Sequence, residues 1–183
     1  MTVVRALSLP LVVIVHGNQE SNASASILWD NAFSLPGRTL FHVPDKVKWT
    51  DLVETLSSKW RRDLNCRFDL SPRAISYLGQ KIFRGQACTA DSLVSWSMFN
   101  RENMPARAFT FWQWFDSAMA LMKNKLCVNH WNDRAIVGFI DRAECEAILK
   151  AQRAGTFLMR FSDSEMGAIS VVFRVIGLNL TLP

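Results

Sequence analysis

Tyrosine is almost missing from this chain: Tyr77 is the only one in 183 residues, and no motif of an enzyme or a metal centre stands beside it. The four cysteines, Cys66, Cys88, Cys127 and Cys145, lie 22, 39 and 18 residues apart, so no pair has metal-ligand spacing. No disulfide pattern emerges either, and reduced, mostly buried thiols in a cytosolic protein fit best. There is no glycine-rich phosphate loop, no Ser-His-Asp or Cys-His grouping and no paired-carboxylate motif, which leaves the enzyme class without support. No metal or cofactor is expected. No apolar stretch approaches the roughly 20 residues that span a bilayer.

Strong charge of one sign is also lacking. The formal net charge is +5, and residues 1–47 and 135–183 are each balanced. The whole excess sits in residues 48–134, with thirteen basic and eight acidic groups. That bias is compatible with lying near nucleic acid but is thinner than the basic stripe of a dedicated reader. A solvated helical surface explains it as well.

The amino terminus imitates a secretory signal. Arg5 precedes the apolar run Leu7–Val15, Ala23-Ser24-Ala25 resembles a cleavage site, and Asn22-Ala23-Ser24 is a formal glycosylation sequon. Against secretion, Pro10 interrupts the run, and Val12-Val13-Ile14-Val15 is β-branched as a core strand should be. A secreted structural protein remains the rival reading, to be removed by recovery with Met1 intact and Asn22 unmodified.

What is present divides into three parts. The first 47 residues read as β and loop, with a buried strand at Leu11–Val15, a polar turn at Gly17–Ser24 and punctuation at Pro36-Gly37 and Pro44-Asp45. From Trp49 the period changes: Trp49, Leu52, Val53, Leu56 and Trp60 form one helical stripe. Ser71-Pro72 opens a second helix facing Ile75, Leu78, Ile82 and Phe83 inward. A shorter one is expected near Trp96–Asn103. Thr110 and Gln113 make a capping box for a helix over about 111–126, burying Phe111, Phe115, Ala118, Met119, Met122 and Leu126. Trp112 and Trp114 are expected to pack between helices, and this section to hold a core of its own. After Ala135, Asp141 and Glu144 predict a boxed helix with Cys145, Ile148 and Leu149 inward. Gly155 then breaks into a strand bearing Arg160, and a polar turn leads to a final strand, Ile169–Ile176, with nothing obvious to cover it.

Residues 155–167, Gly-Thr-Phe-Leu-Met-Arg-Phe-Ser-Asp-Ser-Glu-Met-Gly, are the most informative. Phe157, Met159 and Phe161 alternate onto one face, placing Arg160 beside Leu158 on the other. A guanidinium there must have a partner, and no neighbour in sequence is an obvious structural mate. A removable anion would explain it. Phosphate suits the planar fork, with Ser162, Ser164 and the N–H groups of the turn closing around it. The plainer alternative is an arginine paired with a distant carboxylate.

A series of longer segments then becomes specific: Val12–Gln19, Ile27–Phe33, Val43–Val47, Val94–Ser97, Phe99–Asn103, Thr110–Asp116, His130–Asp133 and Gly155–Gly167. In order and content these resemble the STAT family of signal transducers and activators of transcription, in the branch responding to prolactin, growth hormone and interleukins. The resemblance implies an α+β multi-domain fragment. Residues 1–47 would end an immunoglobulin-like DNA-binding β-barrel, 48–134 form an all-helical linker domain, and 135–183 the first half of a Src-homology-2 domain. It further implies phosphotyrosine binding by Arg160, with Arg142 on the preceding helix and Ser162, Asp163 and Ser164 in the turn, and a DNA contact by His16. A loop histidine that only caps a turn is the alternative for His16, while His42 and His130 are read as structural. Implied partners are phosphotyrosine peptides of cytokine receptors and of a second STAT subunit, DNA, and upstream Janus-type kinases. Localisation would be cytoplasmic, and nuclear on activation.

The family's amino-terminal domain, coiled coil and tail tyrosine have no counterpart here, and Gly177–Pro183 does not resemble family sequence. The alternative is therefore a truncated, non-binding or interfering product acting only through protein contacts of the helical part.

Overall fold

The structure, a computed structural model, describes residues 8–39 and 42–175 and the backbone of residues 178–182. Helices dominate up to residue 132, and a four-stranded sheet follows.

The first segment departs from the β reading. Residues 8–15 form no strand, and Val13 and Val15 are exposed. A β-branched run has strand preference only when neighbouring strands accept its backbone, and among the described residues none pairs with it. After a short 3₁₀ turn at Gly17–Gln19, helix α1 (Glu20–Phe33) replaces the expected turn. Its serines and asparagines suggest a loop locally, but Ala25 and Trp29 lie one turn apart and are both buried. Trp29 meets Trp96 and Phe99 at ring separations of 5.4 and 5.2 Å, and tertiary packing overrides the local preference. The Trp112 indole N–H donates to the Ser21 carbonyl at 2.7 Å, and Asn100 donates to Asn22 Oδ1 at 2.6 Å. This segment is thus packed into the helical unit.

Strand β1 (Lys46–Lys48) pairs antiparallel with β2 (Leu93–Ser95), so the expected all-helical section contains a small ribbon. Helix α2 (Trp49–Leu64) buries Trp49, Leu52, Leu56 and Trp60 of the predicted stripe, leaves its Val53 half-buried and adds Leu64. Helix α3 (Pro72–Ile82) starts where Ser71 accepts the Ala74 N–H at 3.2 Å. Helix α4 (Trp96–Asn100) is brief. The capping box of α5 (Phe111–Met122) forms, with Gln113 N–H on Thr110 Oγ1 at 3.2 Å and Thr110 N–H on Gln113 Oε1 at 2.9 Å. That helix stops earlier than its apolar spacing suggests. Asn124 accepts the Leu126 N–H at 2.9 Å and caps a new helix, α6 (Lys125–Asn132), which leaves Leu126 exposed. Trp112 and Trp114 are fully buried between helices, as expected.

Strand β3 (Ile136–Gly138), not foreseen in the sequence, runs parallel to β4 (Phe157–Phe161), and helix α7 (Arg142–Lys150) makes the crossover. Asp141 accepts the Glu144 N–H at 2.7 Å, but only half of the expected box exists, because the Glu144 carboxylate turns to Arg73 at 2.9 Å. Strand β5 (Ile169–Val175) pairs antiparallel with β4, Arg160 opposite Ser170. The expected end at Ile176 lies outside the described residues. Strand β6 (Leu178–Leu182) then pairs with β5, so both edges of β5 are occupied and the uncovered final strand anticipated from the sequence is corrected.

The two faces of β4 enter different cores. Leu158 joins Val172, Ile140, Cys145 and Leu149 under α7. Met159 and Phe161 join the large core that continues through the helices. Trp60 stands at its centre, within 5.0 to 5.8 Å of the rings of Phe115, Trp131, Phe139 and Phe161. The helical unit therefore shares its core with the sheet and does not close one alone. Gly138 permits this approach: its φ is 78°, and a Cβ there would stand 2.5 Å from the Trp131 ring.

Candidate anion site at the seam of helices and sheet

Arg160 is 3% exposed, near the end of β4 where the strand meets the turn. Its Nε donates to the Ile140 carbonyl at 2.9 Å, which fixes the plane of the guanidinium. Its Nη2 reaches Asp163 Oδ1 at 3.1 Å and the Tyr77 hydroxyl at 3.2 Å. The near-sequence mate missing from the sequence reading is therefore Asp163, three residues on, brought under the guanidinium by the reversal of the chain. Among the described residues Nη1 has no hydrogen-bond acceptor.

The turn is tightly organised. Ser162 Oγ accepts the N–H groups of Ser164 at 3.3 Å and Glu165 at 3.2 Å, and lies 3.2 Å from Ser164 Oγ. The Ser162 N–H donates to the Ala168 carbonyl at 2.9 Å, and the Ser162 carbonyl accepts from the Trp114 indole at 2.7 Å. Helix α5 thereby holds the base of the turn.

Three groups from the helical unit converge on the same turn, and the sequence reading assigned none of them to it. Lys81 Nζ donates to Asp163 Oδ2 at 2.9 Å, the Tyr77 hydroxyl donates to the same oxygen at 3.1 Å, and Arg107 Nε donates to the Asp163 carbonyl at 2.5 Å. Tyr77 and Lys81 are one helical turn apart on α3, with the ammonium 4.8 Å from the ring centroid. That i, i+4 pair was the only local hint.

Burial works to raise the Asp163 pKa, but the hydrogen bond from Lys81 and the charges of Arg160 and Lys81 outweigh it and hold the carboxyl well below the ordinary carboxylate range. Burial, then the Asp163 charge, pushes the Tyr77 phenol upward. The Arg160 guanidinium is raised: burial opposes, and Tyr77 and Asp163 more than compensate. Beside these groups opens a cleft of about 310 Å³ lined by Tyr77, Lys81, Arg84, Arg107, Asp141 and Asp163, among others.

Ser162, Asp163 and Ser164 thus share one site with Arg160. Arg142 does not reach it: in the first turn of α7 its Nε pairs with Glu146 at 2.8 Å, largely exposed. His16 lies far along the chain, in an exposed turn whose backbone carbonyl accepts the Gln19 N–H at 3.0 Å.

A helical unit is fused through a shared core to an α/β sheet carrying a buried strand arginine, an arrangement of the Src-homology-2 kind. Residues 136–180 match the family described as the SH2 domain, and residues 36–115 match the linker domain of signal transducers and activators of transcription. Human signal transducer and activator of transcription 6 is 46% identical over 177 residues, covering 94% of this chain and 21% of that protein. The chain belongs to the STAT family, and it spans about a fifth of the length of that curated relative. The families matched are signalling and transcription modules rather than enzymes. Among the described residues no helix is long and apolar enough to cross a membrane.

Proposed function

We propose that this chain provides the phosphotyrosine-recognition element of a STAT-type transcription factor, with Arg160 gripping the phosphate and Ser162, Ser164 and the turn around Asp163 completing the seat. The supporting observation is the buried, plane-locked guanidinium, with Nη1 unpartnered among the described residues, held by Asp163 and Tyr77, which themselves line a cleft with Lys81, Arg84 and Arg107. Arg142 would close from α7 after leaving Glu146. Its partners in the longer protein are phosphotyrosine segments of cytokine receptors and of a second subunit, with Janus-type kinases upstream. In this reading residues 1–47 adjoin a DNA-binding barrel, His16 touches DNA, 48–134 are the linker and 135–183 the phosphopeptide domain. The chain has no enzymatic activity, and the protein works in the cytoplasm and, once activated, the nucleus.

The Arg160–Asp163 pair favours a second reading, in which the site stays shut and the chain acts only through protein contacts of its helical unit. Fluorescence anisotropy with a labelled phosphotyrosyl peptide separates the two. We expect saturable binding that is abolished by phosphatase treatment of the peptide and by Arg160→Ala. Binding unchanged in Arg160→Ala would refute the role given to that side chain.

A further inference from the structure

We propose that the phosphate seat is built across the seam: Lys81 of α3 is its second cation, and the Asp163 carboxylate is a resident competitor that a phosphate monoester must displace. This rests on Arg160 being the phosphate ligand.

The geometry carries it. Asp163 receives three donors: Arg160 Nη2 on Oδ1, and Lys81 Nζ and the Tyr77 hydroxyl on Oδ2, at 3.1, 2.9 and 3.1 Å. Two cations and a phenol converging on two oxygens are what a bound oxyanion requires, and the carboxylate fills the places that two phosphate oxygens would take. The turn anchors its backbone elsewhere, through Ser162 to Trp114 and through the Asp163 carbonyl to Arg107. Rotation of the Asp163 side chain therefore frees the donors without dismantling the turn. That side chain is 26% exposed and borders the cleft, so it has a route to water. Once it leaves, a monoester dianion meets Arg160 and Lys81, and the carboxylate that remains on the cleft wall is Asp141, whose Oδ1 is engaged by the Glu144 N–H.

Ala106 has a φ of 56°, unusual for a residue with a Cβ. It precedes Arg107, whose Nε donates to the Asp163 carbonyl. Arg84, which also lines the cleft, is held by Glu102, leaving Lys81 as the ammonium aimed at the seat.

The test is isothermal titration of the 183-residue chain and its variants with N-acetyl-phosphotyrosine amide, with inorganic phosphate as a second arm and thermal unfolding followed alongside. Asp163→Asn should tighten phosphotyrosine affinity by about five- to tenfold while lowering the melting temperature, and Lys81→Met should weaken affinity by about tenfold. A purely structural ion pair would instead lower stability and affinity together in Asp163→Asn. If that variant unfolds, Asp163→Ser gives the same comparison, and Lys81→Met stands independently. Loss of binding in Arg160→Ala, with Lys81→Met and both Asp163 variants at wild-type affinity, overturns the seam proposal alone. Equal binding by wild type and Arg160→Ala overturns the phosphotyrosine reading itself. Binding by Asp163→Asn but not by wild type supports the competitor, whereas absence of binding in every variant overturns both. Inorganic phosphate binding as tightly as the amide would make the site a general anion site and overturn the assignment to a monoester.

Discussion

Arg160 is buried, and one carbonyl, one phenol and one carboxylate receive its Nε and Nη2 donors. Asp163, being depressed, contributes stability that is fully present above the ordinary carboxylate pKa of about 4 and fades as pH falls below it. We expect acid unfolding of the wild type to set in near that range and to flatten in Asp163→Asn, measured by urea midpoints between pH 3 and 6. Equal slopes would show that the pair adds nothing. Trp60 makes the opposite point. Its indole N–H is buried without a partner among the described residues, inside an aromatic cage. Trp60→Phe should stay within about 1.5 kcal/mol of wild type, because losing an unsatisfied donor offsets lost area, while Trp60→Ala should lose about 3–5 kcal/mol. Similar losses in both would mean that the N–H is satisfied. At this scale Arg160 and its turn were legible, because an arginine inside a strand stands out. Tyr77, Lys81 and Arg107 were not, since long-range convergence leaves no mark on spacing.

Elements were read best where their signals are local. Ser71-Pro72 and the Thr110–Gln113 box fix helix starts through bonds within one turn, and both formed. The reading failed where neighbours decide: among the described residues Leu11–Val15 has no pairing strand, and α1 is helical because Trp29 has rings to meet. Strand β3 was missed for a related reason, being three residues long and defined only by β4. Its Gly138 sets the distance between α6 and the sheet. Gly138→Ala should lose at least about 2 kcal/mol, combining a left-handed backbone with a methyl driven into Trp131. Chemical denaturation checks it, and a loss below half that value would show the ring moving aside.

At the scale of the whole molecule, the sequence divides cleanly while the core does not. Composition suggests a self-sufficient helical unit, but Trp60, Phe115 and Phe139 of the two parts pack on one another. Helices and sheet should therefore unfold together, with tryptophan fluorescence and far-ultraviolet dichroism giving one coincident transition. Two separated transitions would restore the independent helical unit. The shared core also explains how groups on α3 can complete a site on β4: a rigid seam keeps Lys81 within hydrogen-bond distance of the turn. The account then turns on whether the Arg160 guanidinium exchanges its carboxylate for a phosphate. The direct measurement is the side-chain Nε–H resonance of Arg160, assigned by its loss in Arg160→Lys, during titration with N-acetyl-phosphotyrosine amide. We expect a saturable shift that unphosphorylated tyrosine amide does not produce. A resonance that stays fixed throughout the titration would contradict the account.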